Sequence, residues 1–84
     1  MKRLSDEWLD RAEAGYYHVT NKLIAPILRK IPEDQRDRAD EIAWLYMNNG
    51  KDKIEAFKIA VDELIEHNYE ETPTERYLRH RYGQ

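Results

Sequence analysis

Eighty-four residues can enclose one modest core but not a core plus a deep substrate pocket, so the chain reads as a single domain over 1–84. Apolar residues at 40%, charged residues at 37% and a net charge of −3 exclude the aromatic-poor, highly charged composition of a disordered chain. With no cysteine, disulfides, thiolate metal sites and cysteine nucleophiles are excluded, and no window approaches the roughly 20 apolar residues of a membrane span.

The opening "MKRLSDEW" carries two cations with no apolar run behind them, so neither secretion nor membrane insertion is expected, and a cytoplasmic address is the default. Ser5 begins the first helix as a cap, with Asp6 and Glu7 at the positive end of its dipole and Leu4 placed to staple onto Leu9. Trp8, Leu9, Ala12, Tyr16, Val19, Leu23 and Ile27 recur at three- and four-residue spacing and predict one core-facing stripe. Tyr17, Ile24, Leu28 and Ile31 widen it in the second half. Pro26 lacks the amide that would bond to Lys22, so the helix is expected to kink or split between Lys22 and Pro26.

"KIPEDQ" marks the next start, with Pro32 suited to a first helical position and Glu33, Asp34 and Asp37 following it. This second helix runs to Gly50, a left-handed C-terminal cap. Ala39, Ile42, Ala43, Leu45 and Tyr46 share its apolar face, and Trp44 points nearly the opposite way, among Asp37, Asp40, Glu41 and Asn48. Asp52, with Glu55 three residues on, caps a third helix whose buried stripe is Ile54, Phe57, Ala60, Val61, Leu64 and Ile65. Its other side carries Glu55, Asp62, Glu63 and Glu66, and only Lys51 separates the two helices, which predicts a tight hairpin. "TPTE" opens a short last helix. There Tyr77, Leu78 and Tyr82 lie in one arc, expected to close the fold, while Arg76, Arg79 and His80 lie in the other. Arg81 can lay its aliphatic stem across the apolar side. The fold class expected is therefore all-α: a small antiparallel helical bundle of three main helices, the first kinked or split near Pro26, plus a short C-terminal helix.

Function is less legible than fold. No GxxxxGK[ST], GxGxxG or GxSxG pattern occurs, and His18, His67 and His80 read as solvated helix-edge residues because no ligand set of the usual spacing surrounds them. Neither catalytic residues nor a metal or cofactor is expected. A helix-turn-helix reading of the hairpin fails because its second helix would bring Glu55, Asp62, Glu63 and Glu66 toward phosphates. Trp44 is either covered by the first or last helix or is an exposed aromatic anchor ringed by carboxylates. In the second case Trp44, Asp37, Asp40 and Glu41, extended by Ile59, Glu55, Asp62, Glu63 and Glu66, would form a docking surface for a protein with a basic surface. Regularly spaced carboxylates can compete with nucleic acid for a cationic groove, which describes a small regulator or inhibitor of a larger protein. Compact cysteine-free adaptors of this size are familiar as bacterial and phage accessory proteins. Two alternatives stand beside that reading: weak nucleic-acid binding through Arg76, Arg79, His80 and Arg81, and self-association of the basic last helix with the acidic hairpin of another copy.

Overall fold

In the computed structural model, which describes residues 4–83, five α-helices follow one another. They are α1 (Asp6–Glu13), α2 (Val19–Leu28), α3 (Arg36–Asn48), α4 (Lys53–Glu66) and α5 (Pro73–Leu78). A 3-10 turn, Glu33–Gln35, leads into α3, and a π-helical turn, Arg79–Gly83, follows α5. No strand occurs among the described residues, and none of the helices found there is long and apolar enough to cross a membrane. The radius of gyration of 12.7 Å is close to the roughly 12 Å of a compact chain of this length.

Side-chain caps start α1, α4 and α5 where the sequence signals lie. The Ser5 hydroxyl accepts from the Trp8 amide at 3.1 Å, and the Asp52 carboxylate from the Glu55 amide at 2.9 Å. At α5 the box is reciprocal: Thr72 Oγ1 accepts from the Glu75 amide and Glu75 Oε1 from the Thr72 amide, both at 3.1 Å. Three helices end in the same pair of bonds, which satisfies carbonyls that the helix leaves free. After α3, Gly50 (φ 100°) donates to Met47 and Lys51 to Tyr46. After α4, Asn68 (φ 54°) donates to Ile65 and Tyr69 to Leu64.

After α1 the same pattern falls on Gly15 (φ 91°), which donates to Ala12 while Tyr16 donates to Arg11. The first predicted helix is therefore split at Gly15, not near Pro26. The backbone reverses through residues 15–18, and α2 restarts with His18 Nδ1 accepting from the Thr20 amide at 3.1 Å. Pro26 lies inside α2, which continues to Leu28. It sits on the solvent side, where the Lys22 carbonyl that loses its donor can turn to water. A Cβ at Gly15 would meet nothing within 4 Å, so only its left-handed backbone opposes substitution. Gly15→Ala should therefore lower stability by about 1 to 2 kcal/mol, and Gly15→Asn by less, as read from urea midpoints.

This split resets the helical phase. Leu9 and Ala12 carry the buried side of α1, and Ile24, Ala25, Ile27 and Leu28 that of α2. Tyr16, Val19 and Leu23, expected in the core, are exposed instead. Tyr17 remains useful by stacking on Trp8 at 5.4 Å between ring centres. α4 packs against both α3 and α2, and α1 packs on α2. Alanines at 12, 25, 39, 43, 56 and 60 are fully buried, which lets neighbouring backbones approach closely. In α4 the buried side is Ala56, Phe57, Ala60, Val61 and Leu64, so Ala56 replaces the expected Ile65, which is exposed.

Two arginines tie the first half together. Arg29, just past α2, bonds Glu13 at 2.8 Å and Asp10 at 2.5 Å, closing α2 onto α1. Arg36, only 5% exposed, donates to the carbonyls of Leu28 and Leu4, each at 3.1 Å, and pairs with Asp6 at 2.9 Å.

α5 is held differently. Every buried apolar residue of the core lies between Leu4 and Leu64, and Tyr77 and Tyr82 are exposed. The expectation that the tyrosines and Leu78 close the fold by apolar burial is thus corrected: polar contacts attach this helix. Glu63 accepts from the Thr74 amide at 3.2 Å and its hydroxyl at 2.8 Å, and Tyr46 Oη lies 3.2 Å from that hydroxyl. Arg38 completes the attachment, as described next.

Candidate functional site

On α3, burial of Arg36, Ala39, Ile42 and Ala43 turns the opposite side outward. Asp37, Asp40, Glu41 and Trp44 then follow one another at three- and four-residue spacing along that side. Trp44 is 47% exposed. The last helix and its π-helical turn come alongside, so that Tyr82 sets its ring at 80° to the Trp44 ring with centres 5.8 Å apart. Between them runs a groove whose sides are Asp40, Glu41 and Trp44 from α3 and Leu78, Arg79 and Tyr82 from the C-terminal segment. Tyr69, Glu71, Glu75 and Arg38 also line it.

Arg38 organises this groove. Its Nε and Nη2 form a two-pronged pair with Glu75 at 2.6 and 2.5 Å. Nη1 donates to Gln35 Oε1 at 2.7 Å and to the Tyr69 carbonyl at 2.6 Å, and Nη2 reaches the Glu70 carbonyl at 3.0 Å. Those carbonyls belong to the link in which both Asn68 and Tyr69 adopt left-handed backbone, so one guanidinium fastens a strained turn and the helix after it. Burial disfavours the Glu75 charge, but the bonds from Arg38 and Thr72 outweigh it and hold the carboxyl below the ordinary glutamate range.

Trp44 thus meets both sequence alternatives halfway: Tyr82 of the last segment packs against it, and about half of the residue remains exposed. The structure brings Asp40 and Glu41 beside Trp44 at the groove and puts Asp37 one turn earlier, exposed. It does not bring the α4 residues there. Glu55, Asp62 and Glu66 are exposed on another part of the surface, Ile59 is half-buried, and none of them lines the groove. Glu63, grouped with the outward acids in the sequence, is half-buried and engaged by Thr74 and Tyr46. Of the basic residues, Arg79 pairs with Glu71 at 2.6 Å and Arg76 with the same carboxylate at 3.5 Å. His80 and Arg81 are exposed, Arg81 lying 5.8 Å from the Tyr82 ring centre. Two of the cations a nucleic-acid tail would use therefore share one carboxylate.

Sequence reasoning missed Arg38, Tyr69 and Tyr82 as groove residues. Tyr82 had been grouped with an inward arc, and no local pattern signals that α5 runs beside α3. His67 and His80 share a shallow depression with Glu71, Arg76 and Tyr77, and among the described residues no three His, Cys, Asp or Glu side chains gather to hold a metal. The groove therefore offers aromatic faces and a carboxylate rim. Comparison of the chain with protein-family models, curated proteins and solved structures finds no match.

Proposed function

We propose that this chain is a non-enzymatic protein-binding module, a single small antiparallel helical bundle whose α3 groove receives a basic surface of a larger protein. The single observation that carries this reading is Trp44, half-exposed at the centre of the groove with Tyr82 at its edge and Asp40 and Glu41 on its rim. An aromatic anchor with two carboxylates beside it suits a partner that presents a lysine or arginine: the ring face attracts the cation and the carboxylates orient its approach. A nucleic-acid-handling protein has such a surface. Occupying it would make this chain a cytoplasmic regulator or inhibitor of the bacterial or phage accessory kind, acting by occlusion.

The test is affinity capture from the native cell or its host with the wild-type chain, followed by titration of the captured protein against Trp44→Ala and Glu41→Lys. Loss of a central aromatic anchor should weaken binding by about thirtyfold or more, equivalent to about 2 kcal/mol. Retention of every partner at unchanged affinity by two folded variants would show that the groove is not the docking surface.

A further inference from the structure

A second face differs in character from the acidic groove. Residues 14–32 contain no carboxylate, and their charged residues are Lys22, Arg29 and Lys30. Within this stretch Tyr16 is 76%, Val19 61% and Leu23 52% exposed, and Pro26 is exposed as well. At about 100° per residue, Val19, Leu23 and Pro26 fall inside an arc of roughly 60°. They form one apolar strip along α2, opposite the side that packs into the core. Lys22 borders the strip and Lys30 follows its end; both are exposed and neither pairs with a carboxylate among the described residues. Arg29 is already engaged by Glu13 and Asp10.

We infer that this face of α2 docks an acidic amphipathic helix of a partner protein, at a surface separate from the Trp44 groove. The apolar strip supplies the ridge against which a second helix packs. Each lysine can lie along the edge of that contact with its stem on apolar surface and its ammonium toward a carboxylate. Charge selects this occupant over others. A second copy paired through the same face would bring an acid-free surface against itself, Lys22 and Lys30 included. Nucleic acid would meet only two unpaired ammonium groups across an apolar centre. A bilayer would receive little more than Val19, Leu23 and Tyr16.

The probe is a set of three synthetic helical peptides with one leucine stripe and flanks of glutamate, glutamine or lysine. Binding is read by anisotropy at low salt and mapped by amide chemical shifts. The glutamate-flanked peptide should bind about tenfold or more tighter than the lysine-flanked one, a difference of about 1.4 kcal/mol, with shifts centred on Val19, Leu23 and Lys30. Leu23→Asp should abolish this binding, and a folded Lys22→Glu/Lys30→Glu double variant should reverse the order of the peptides. Trp44→Ala should leave the titration of the glutamate-flanked peptide unchanged, which separates this face from the proposed function of the groove. The inference is overturned by equal binding of the glutamate and lysine peptides to the folded Trp44→Ala chain, or by no binding of the former at about 1 mM. Shifts mapping elsewhere, self-association that the lysine variants abolish, or stronger binding to anionic vesicles or an oligonucleotide would overturn it equally.

Discussion

Arg36→Ala should lower the unfolding free energy by about 3 to 5 kcal/mol, the largest loss expected from a single polar side chain in this protein. The guanidinium is nearly fully buried and meets three segments at once: the Leu4 carbonyl before α1, the Leu28 carbonyl at the end of α2, and Asp6. Truncation removes charge-assisted donors from two carbonyls and leaves a cavity among them. Leu28 keeps a weaker bond from the Ile31 amide at 3.3 Å, so the Leu4 side suffers most; Leu4 itself sits in left-handed backbone at φ 58°. A chain of this length has a total stability of only about 4 to 13 kcal/mol, so the variant should be close to unfolding at room temperature. Arg36→Lys keeps a charge but cannot span both carbonyls with one ammonium, and should fall between wild type and alanine. Asp6→Asn should cost less than Arg36→Ala, because it takes a carboxylate from the buried guanidinium but leaves both carbonyl bonds in place, and the 70% exposed position admits water. Urea unfolding followed by circular dichroism checks the series. A midpoint for Arg36→Ala equal to that of the wild-type chain would show that the buried donors carry no stability.

The hairpin of α3 and α4 was legible because its signals are local. Gly50 requires only that the residue after a helix tolerate positive φ, and Asp52 only that a carboxylate precede a free amide. Thr72 and Glu75 are readable for the same reason. The break in the first predicted helix was legible in principle too: Gly15 is followed by two tyrosines and a histidine, poor material for continuing a helix. The apolar spacing ran unbroken across it by coincidence, and Pro26 offered a stronger local reason to stop. Periodicity cannot distinguish a continuous stripe from two short ones whose phases happen to join. Arg36 and Arg38 illustrate a deeper limit, since two arginines in the charged run "RDRADE" look solvent-facing and are structural only because segments about thirty residues away present carbonyls to them.

The proposed docking surface divides along the same line. Trp44 and its acidic neighbours are three and four residues apart on one helix, so a wheel places them correctly. Whether α4 adds its carboxylates to that patch depends on how two packed helices face one another. Glu63 shows the outcome: its position on the wheel said outward, and the arrival of Thr74 turned it into an anchor for α5. The basic closing stretch shows the same limit, because Glu71 lies just before the helix and pairs with both Arg76 and Arg79.

Because polar bonds rather than apolar burial hold the last helix, Arg38→Ala should loosen α5 without unfolding α1 to α4. The core ends at Leu64, so losing the two-pronged pair with Glu75 and the bonds to the Tyr69 and Glu70 carbonyls leaves α5 held chiefly by Thr74 on Glu63 and spares the centre. The local cost should be about 2 to 4 kcal/mol, comparable with breaking a partly buried, well-aligned charge pair. Amide exchange should then accelerate in residues 72–83 while α4 stays protected, and the Trp44 ring should lose Tyr82 and become more accessible to a fluorescence quencher. The same contact predicts the pH response. Glu75 is held below the ordinary glutamate value in the folded chain, so the unfolded chain binds its proton first as pH falls. Its stabilisation is complete above about pH 4.3, the unperturbed glutamate value, and is lost progressively as pH drops through the lower folded value. The stability difference between wild type and Glu75→Gln should therefore be constant near neutrality and shrink in acid, which cancels the carboxylates common to both chains. A difference that stayed level down to the acid limit would mean that the Arg38–Glu75 pair does not depend on the Glu75 charge.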